Sequence, residues 1–308
     1  MKRREFIQLS AAAASISTFS NARGEDVALG EKPLLIFGMI TDVQYADADP
    51  KGERHYRESI PKLKTAVEWL SKQNLPFTLH LGDFIDHDFP CFASVLALLE
   101  PLGHPVKHLL GNHDYSIPEE QKSRVVSLLG MPHDYYGFEQ SGVRFLMLDT
   151  NDRSVYKYPQ GSEQDIESEA LLEKMKAANA DNAQPHNGGV SEAQLAWLER
   201  ELAAADAEKK PVIVCGHHPL LPADAMRAWN SEAIVAAIDR HPCVIAWFNG
   251  HNHAGAETVR NGIPYITFKS ILQEPGVNAY SVIRVFKDRI EIVGNGREQS
   301  RVLPVRAV

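Results

Sequence analysis

The chain is poor in cysteine and has no long apolar run, and each shortage excludes a class of protein. Its 308 residues include three cysteines, Cys91, Cys215 and Cys243, which are too few for a disulfide framework. We expect all three to be buried as small apolar side chains. Beyond the N-terminal segment, no stretch approaches the roughly 20 apolar residues of a membrane-spanning helix. The sequence therefore predicts a globular protein without stable membrane insertion.

The chain also lacks an excess of positive charge. Its formal net charge is −8 at pH 7, from 32 basic and 40 acidic residues. A net-acidic protein is poorly suited to nonspecific nucleic-acid binding, because the phosphate backbone repels it. A small anionic substrate remains compatible with this charge, since bound metal ions can outweigh the global field. Nothing in the sequence indicates an oligomeric state.

The first 22 residues have the parts of an export signal in their usual order. Paired arginines at 3–4 precede an Ala-rich stretch over 7–19, and residues 20–22 resemble a small-x-small cleavage site. We predict a twin-arginine signal over 1–22, with Asn21 as an alternative last removed residue. The protein would then use the Tat export machinery and be periplasmic or extracellular. The alternative interpretation is a disordered basic start or a short surface helix.

After a polar linker over 23–32, strand and helix patterns alternate, which predicts an α/β fold. We place the folded domain at 33–296 and a C-terminal tail at 297–308. A long segment between Asp149 and Ser191 has weak signals and is either a functional lid or a plain surface insertion. Helices are predicted over 54–71, 92–99, 163–178, 192–204 and 230–239, and strands over 142–148, 263–268, 279–286 and 289–293.

Five further apolar runs, each about the length of a buried parallel strand, end in residues that ligate metals. In an open α/β sheet, ligands bind beyond the carboxyl ends of the strands, so these residues should meet in one place. The runs are 34–40, 77–81, 106–110, 212–215 and 244–248, and they precede Asp42-Val43-Gln44, Gly82-Asp83, Gly111-Asn112-His113-Asp114, Gly216-His217-His218 and Gly250-His251-Asn252-His253.

This mixture of carboxylate, amide and imidazole groups predicts a site for two divalent metals. A carboxylate directly after glycine at a strand end can face both ions, so we predict that Asp83 bridges them. Oxygen ligands mixed with imidazoles favour Mn²⁺, Fe or Zn²⁺ over Mg²⁺. The other predicted ligands form two groups, namely Asp42, Gln44 and one imidazole, and Asn112, His217 and a second imidazole, with His251 and His253 assigned in either order.

His113 and Asp114 follow the predicted ligand Asn112, and we predict that both are catalytic. A histidine held by a carboxylate can donate a proton to a leaving oxygen or stabilise transition-state charge. The alternative is a surface-loop histidine. We expect Asp86 to orient a ligand, and His218 either to support a ligand or to line the pocket. The remaining histidines are predicted to be structural or solvated: His55, His80, His87, His104, His108, His133, His186 and His241.

The five motifs resemble those of the calcineurin-like metallophosphoesterases, whose pattern is D-x-H, G-D, G-N-H-[DE], G-H and G-H-x-H. Gln44 occupies the place of the usual histidine, and in this respect the chain is similar to the manganese-dependent ADP-ribose/CDP-alcohol diphosphatases. The likeness covers about 33–294 and includes residues 37–47, 54–57, 148–152, 188–198 and 228–230.

The resemblance implies a four-layer α/β/β/α sandwich and two metal ions, with Mn²⁺ as the expected metal and Fe or Zn²⁺ as alternatives. The implied substrate is a nucleoside diphosphate linked to a second group, cleaved at the phosphoanhydride by water that the metals activate. Tyr45, Arg54, Trp229 and Asn230 are then candidate substrate-binding residues, although Trp229 equally suits core packing. The segment 273–275 is a candidate for the nucleoside pocket. A broad phosphomonoesterase or phosphodiesterase, and a noncatalytic metal-stabilised binding protein, remain as alternatives.

Overall fold

A computed structural model describes residues 31–308, so the predicted export signal and most of the linker lie outside the described residues. Within this range, the strands form two six-stranded sheets. The first has the order β12-β11-β10-β1-β2-β3, from β1 (Leu35–Ile40), β2 (Thr78–Leu81), β3 (Val106–Leu109), β10 (Ala279–Val285), β11 (Arg289–Gly296) and β12 (Arg301–Pro304). The second has the order β4-β5-β6-β7-β9-β8, from β4 (Tyr136–Gln140), β5 (Val143–Met147), β6 (Val212–Cys215), β7 (Val244–Asn249), β8 (Ala256–Arg260) and β9 (Ile263–Thr267).

Helices cover the outer face of each sheet, which confirms the predicted four-layer α/β/β/α sandwich. Apolar residues of α1 (Ser59–Leu70) and α2 (Cys91–Leu99) pack with the first sheet, and those of α6 (Glu192–Glu208) and α7 (Ser231–Arg240) pack on β5, β6, β7 and β9. No helix among residues 31–308 is both long and apolar enough to cross a membrane. The helices are α1 (Ser59–Leu70), α2 (Cys91–Leu99), α3 (Glu119–Lys122), α4 (Val125–Leu128), α5 (Glu163–Ala177), α6 (Glu192–Glu208) and α7 (Ser231–Arg240).

An aromatic cluster fills the space between the two sheets. Phe37 of β1 stacks on Phe77 with ring centroids 5.0 Å apart, and meets Phe145 of β5 edge-on at 5.3 Å. Phe138 of β4 stacks on Phe145 at 4.8 Å. Such offset and edge-to-face pairs add to the free energy gained by apolar burial. The three cysteines are buried and unpaired, as predicted.

The strands that the sequence patterns missed are edge strands. β4 and β8 border the second sheet and β12 borders the first, and at most one residue of each is fully buried. With so little buried surface, these three strands leave no apolar run to recognise. β12 also lies in the segment 297–308 that we treated as a tail, and Arg306 Nε donates to Val244 O at 2.7 Å. The folded unit therefore extends from Pro33 to Val308.

Helix ends differ from the patterns for local reasons. The predicted helix over 54–71 is α-helical only from Ser59, because residues 56–58 form a 3-10 turn. At the start of α6, Ser191 Oγ accepts from Gln194 N at 3.2 Å, as in a capping box. The Gln194 side chain does not return to Ser191. It bonds instead to the backbone of Asp149 and to Asp152, which ties α6 to the loop after β5.

Candidate metal centre and active site

The five ligand motifs come from two sheets, not from one open sheet as the strand-end argument assumed. β1, β2 and β3 are parallel neighbours in the first sheet, and β6 and β7 are parallel neighbours in the second. Because the sheets pack face to face, both sets of carboxyl ends open at one edge of the sandwich. The loop after each strand therefore delivers its polar side chains to a common site.

Two groups of side chains at this edge can each hold a metal ion, and they share Asp83. Asp42, Asp83 and His253 form group one, and Asp83, His217 and His251 form group two. Within each group, the ligand atoms lie within 4.8 Å of one another. Asp83 Oδ2 is 3.3 Å from His217 Nε2, and Asp42 Oδ1 is 3.4 Å from His253 Nε2. The geometry thus pairs His253 with Asp42 and His251 with His217.

Two amide side chains, Gln44 and Asn112, line the same opening as the two groups. Gln44 Nε2 is 2.6 Å from Asp83 Oδ2 and 3.1 Å from His253 Nε2, so the amide lies beside group one. Within residues 31–308, Gln44 Oε1 and Asn112 Oδ1 are buried without a hydrogen-bond partner. A buried acceptor without a partner costs roughly 1–3 kcal/mol. Rotating the Gln44 amide would present Oε1 to a cation in group one, so these oxygens fit the proposed metal ligands.

The backbone at the ligands adopts an unusual conformation. Asp42, Gln44, Asp83 and His251 have φ of 50°, 41°, 56° and 65°, a left-handed region that residues other than glycine rarely adopt. Hydrogen bonds hold this geometry, since Asp42 N donates to Gly82 O at 3.1 Å and Gln44 N to Asp83 O at 2.9 Å. Strained residues of this kind cluster at functional sites.

Close packing of the loops explains the glycines that precede the ligands. A Cβ on Gly111 would overlap the Asp83 carboxylate, and a Cβ on Gly250 would overlap Thr41 Oγ1 and Asp42 Oδ2. Each glycine therefore lets a ligand of another loop approach its backbone. The recurring G-D, G-N-H and G-H elements in the sequence reflect this crowding.

The local field favours positive charge. Burial alone would raise the pKa of Asp83, but His217, His113 and His251 hold it well below its ordinary value. Burial opposes protonation of His217, yet the carboxylates of Asp83 and Asp42 raise its pKa to about 9. A site that retains a proton on a fully buried imidazole also attracts a cation.

Asp114 has a structural role instead of the predicted catalytic one. Its carboxylate is fully buried and accepts from the backbone N–H groups of Gly111, Asp83 and Phe84 at 2.9, 3.0 and 2.8 Å. It therefore joins the loop after β3 to the loop after β2. Burial and the nearby Asp83 raise the pKa of Asp114, whereas the amide hydrogen bonds oppose this shift.

His113 is held by Asp86, not by the neighbouring Asp114. His113 Nδ1 lies 2.7 Å from Asp86 Oδ1, and Nε2 lies 3.1 Å from Arg54 Nη1. Asp86 was predicted to orient a metal ligand, and it orients His113 instead. Burial opposes protonation of His113, but Asp83 and Asp86 outweigh it and raise its pKa. His113 N also donates to Asp83 Oδ1 at 2.9 Å, which links the loop to the shared carboxylate.

A cavity of about 840 Å³ opens over both groups. Arg54 lines it, as a substrate-binding residue should, and so does Gln273 from the segment 273–275. His113 and Arg54 thus present two polar groups beside the candidate metal centre. Beyond the ligands, the walls include Lys51, Glu53, Ser116, Tyr156, Pro185, His186, Met226 and Asn252.

Three predicted substrate-binding residues do not line this cavity. Tyr45 is half-buried against the main core, where its backbone pairs with Ile85. Trp229 is 7% exposed, donates to Gln184 O at 3.1 Å and packs on the segment before α6. The Asn230 amide bonds both the N–H and the C=O of Val190. All three support the walls of the site, so the core-packing interpretation of Trp229 is correct.

The segment between Asp149 and Ser191 forms one wall of the cavity. Tyr156, Pro185 and His186 line the opening, and Asn187 Oδ1 lies 3.0 Å from His251 Nε2. His186, which was predicted to be structural or solvated, is half-buried and borders this open cavity. No periodic pattern marks these residues, because they lie in loop. The only usable signal was the likeness over 188–198, which begins one residue after Asn187.

His218 supports a ligand and does not form a wall of the cavity. Its Nδ1 lies 2.7 Å from Thr150 Oγ1, and its ring centroid is 4.3 Å from that of His251. Burial lowers the pKa of His218 well below its ordinary value. The neutral ring therefore packs against His251 without adding charge to group two.

This fold and ligand arrangement define a protein class that comparison with known sequences identifies. The chain belongs to the calcineurin-like phosphoesterase family, whose model matches residues 36–255. This range begins in β1 and ends just after the last ligand motif. It therefore includes every side chain of the two candidate metal groups.

Individual relatives extend the similarity over most of the chain. A manganese-dependent ADP-ribose/CDP-alcohol diphosphatase from Oryza sativa is 35% identical, covering 88% of this chain and 94% of that protein. One of the same name from Arabidopsis thaliana is 33% identical, covering 87% and 96%. The crystal structure of a dimetal phosphatase from Danio rerio has a TM-score of 0.80 at 27% identity, covering 89% of this chain and 99% of that one.

Proposed function

We propose that this protein is a dinuclear-metal hydrolase that cleaves the phosphoanhydride of nucleoside diphosphates linked to a second group, such as ADP-ribose and CDP-alcohols. The observation that carries the proposal is the pair of ligand groups sharing Asp83 beneath one open cavity. The names of the relatives supply the substrate class. A noncatalytic binding protein would not require a histidine oriented by a carboxylate beside the ligands.

Manganese is the proposed cofactor, as the names of the relatives suggest. Asp42, Gln44 and His253 would hold one ion, Asn112, His217 and His251 the other, and Asp83 would contact both. When bound, such a pair neutralises phosphate charge and lowers the pKa of a water molecule so that it can act as nucleophile. A primary amide such as Gln44 is a weaker donor than imidazole, which suits a weakly bound ion such as Mn²⁺.

The protein's own cationic and hydrogen-bonding groups would act on the leaving phosphate. Asp86 fixes His113 through Nδ1, which leaves Nε2 directed toward Arg54 and the cavity. His113 can then donate a proton to the leaving oxygen or stabilise its charge. Arg54 can bind a second phosphoryl group through its planar donors. A substrate with two adjacent phosphates would use both groups, whereas a simple monoester needs only one.

Hydrolysis by the metal-stripped and reloaded protein tests this proposal. The panel sets ADP-ribose and CDP-choline against p-nitrophenyl phosphate and its bis ester, each with Mn²⁺, Mg²⁺ or Zn²⁺. We expect Mn²⁺-dependent release of AMP or CMP. An Arg54→Met variant compares the two substrate classes within one protein, and it should lose more activity on the diphosphate substrates than on the monoester. Turnover confined to the simple esters would instead assign a broad phosphoesterase activity to the same site.

We further propose that the protein is exported by the twin-arginine route, on the sequence features of residues 1–22. This route carries folded proteins, so the metal could be loaded before export, away from competing Zn²⁺ and Cu²⁺. Cell fractionation of the natural chain and of a variant with Arg3→Lys and Arg4→Lys tests the proposal. The variant should remain in the cytoplasm, and equal export of both chains would reject the twin-arginine assignment.

A further inference from the structure

Asn187 connects the wall of the cavity to the candidate metal centre. It lies in the loop before α6, outside the five ligand motifs, and its side chain is fully buried. Its Oδ1 is 3.0 Å from His251 Nε2. Burial of an amide is favourable only when its hydrogen bonds are formed, so each partner of this side chain is informative.

The partners of Asn187 fix the orientation of its amide. Nδ2 donates to Asn182 O at 3.1 Å and to Ala225 O at 2.7 Å. Both partners are carbonyl oxygens, which accept hydrogen bonds and cannot donate them. The NH₂ group must therefore face the two carbonyls, and the carbonyl oxygen Oδ1 must face His251.

This orientation fixes the proton on the His251 ring. Oδ1 can only accept, so Nε2 of His251 carries the hydrogen and Nδ1 has the free lone pair. Nδ1 lies 3.3 Å from His217 Nε2, inside group two. His217 shows the same division, because its Nδ1 lies 2.8 Å from Leu81 O and its Nε2 faces Asp83. Each imidazole of group two thus has an acceptor behind it and its other nitrogen directed into the group.

The two acceptors differ in how they can be changed. His217 is held by a backbone carbonyl of β2, whereas His251 is held by a side chain from the segment between β5 and α6. Asn187 is itself anchored, since its N–H donates to Gln184 O at 3.1 Å and Asn182 Nδ2 donates to Ala228 O at 2.8 Å. The loop therefore acts as a rigid support for one ligand of group two.

We propose that Asn187 is a positioning residue that sets the affinity of group two for a divalent cation by fixing the ring and tautomer of His251. The inference deepens the proposed function and rests on its two-metal centre. Outer hydrogen-bond partners of metal-bound histidines typically change metal affinity about 10–100-fold when removed. The side-chain hydrogen bonds of Asn187 go to Asn182, Ala225 and His251, none of which belongs to group one, so the affinity of group one should not change.

The test is a titration of the metal-free full chain with Mn²⁺ alone. Calorimetry and the electron paramagnetic resonance signal of free Mn²⁺ both monitor the binding. The natural chain should bind two ions. Asn187→Leu, which is similar in size, should weaken one step about 10–100-fold and leave the other unchanged. Asn182→Ala is the matched control, because it removes buried amide bonds of the same loop but keeps the hydrogen bond between Asn187 and His251, so its loss of affinity should be smaller. Two unchanged steps in Asn187→Leu, or equal losses in both variants, would overturn the inference.

The outcomes separate this inference from the proposed function. A natural chain that binds fewer than two ions would overturn both. Two ions in the natural chain and an unaffected Asn187→Leu variant would overturn the inference alone. Should Asn187→Leu fail to fold, nitrogen NMR of the natural chain loaded with Zn²⁺ gives the answer. Coordination of His251 through Nδ1 with a protonated Nε2 would support the inference, and coordination through Nε2 would contradict it.

Discussion

The two metal groups share Asp83 but differ in their surroundings. In group two, Asp83, His217 and His251 are all buried, whereas group one contains His253, which is partly exposed. Both groups border the cavity, through Gln44 and His253 in group one and through His251 in group two, but only group two lies against the loop that contains Asn187. A common carboxylate can therefore serve two sites that differ in the burial of their imidazoles and in the loop that supports them.

The largest effect is expected from a substitution of Asp83, the side chain that both groups share. Asp83→Asn should no longer bind two Mn²⁺ ions together. Its turnover should fall by more than roughly 100-fold, the upper loss expected when only a hydrogen-bond partner of a metal ligand is removed. The reason is that a neutral amide cannot bridge two cations as a carboxylate does. Metal analysis and steady-state kinetics measure the two losses together. An Asp83→Asn enzyme with two ions and full activity would refute the shared-ligand arrangement.

Loss of His113 should separate chemistry from metal binding. His113→Ala removes the side chain that Asp86 and Arg54 orient, so kcat should fall about 10²–10⁴-fold, the usual range for a general acid or base. Both Mn²⁺ steps should persist, since this side chain belongs to neither group. Asp86→Asn should reproduce part of the kcat loss, because the oriented ring would lose its carboxylate partner. Full activity of His113→Ala would remove this residue from the mechanism.

Gln44→Ala should affect group one alone. The amide lies beside Asp83 and His253, and its removal should weaken one Mn²⁺ step at least about tenfold, comparable with the loss of an outer partner. Gln44→Ala should therefore weaken Mn²⁺ binding by group one, whereas Asn187→Leu should weaken binding by group two. Titration of the double variant with Asn187→Leu provides the control, because losses that fall on different groups should weaken both binding steps. Loss of both steps in Gln44→Ala would show that the groups cannot be separated.

The smallest effect concerns the wall beside group one. Lys62 Nζ donates to the carbonyls of Leu272, Gln273 and Glu274 at 3.2, 2.9 and 3.1 Å. Lys62→Met leaves buried carbonyls without a donor and should lower the free energy of unfolding by about 1–3 kcal/mol. Denaturant unfolding measures this loss, and Mn²⁺ binding by group two should not change.

The pH dependence gives a second check on Lys62. Burial lowers its pKa from 10.5 to about 8, so between these values the unfolded chain binds more protons than the folded one. Stability of the natural chain should therefore rise with pH from about 8 to 10.5, relative to Lys62→Met. If the stability of the two proteins changed with pH in parallel, folding would not lower the pKa of Lys62.

The ligands were predictable because each is a metal-binding residue type that directly follows a strand. Asp42, Asp83, His217 and His251 each follow a buried parallel strand, and such strands leave an apolar run in the sequence. The division of His251 and His253 between the groups was not predictable, because the two residues follow the same strand. Only the fold shows that His251 turns toward β6 and His253 toward β1.

The supporting residues were hidden for a different physical reason. Asp86 holds His113 and Asn187 holds His251 through single hydrogen bonds between loops that are distant in sequence. No periodicity records such a contact, and adjacency misled the prediction that Asp114 serves His113. The prediction for Tyr45 was wrong and the two interpretations of Trp229 stayed open, because an aromatic side chain near a motif is as often core as pocket. Edge strands such as β4 and β12 escaped because exposure removes the apolar pattern.

The most direct test of the shared metal centre is a crystal structure of the Mn²⁺-loaded protein with anomalous scattering measured at the manganese edge. We expect two peaks about 3.5–4 Å apart, with Asp83 in contact with both. Asp42 and His253 should contact one ion, and His217 and His251 the other. A single peak, or two peaks of which Asp83 contacts only one, would contradict a centre in which Asp83 serves both ions.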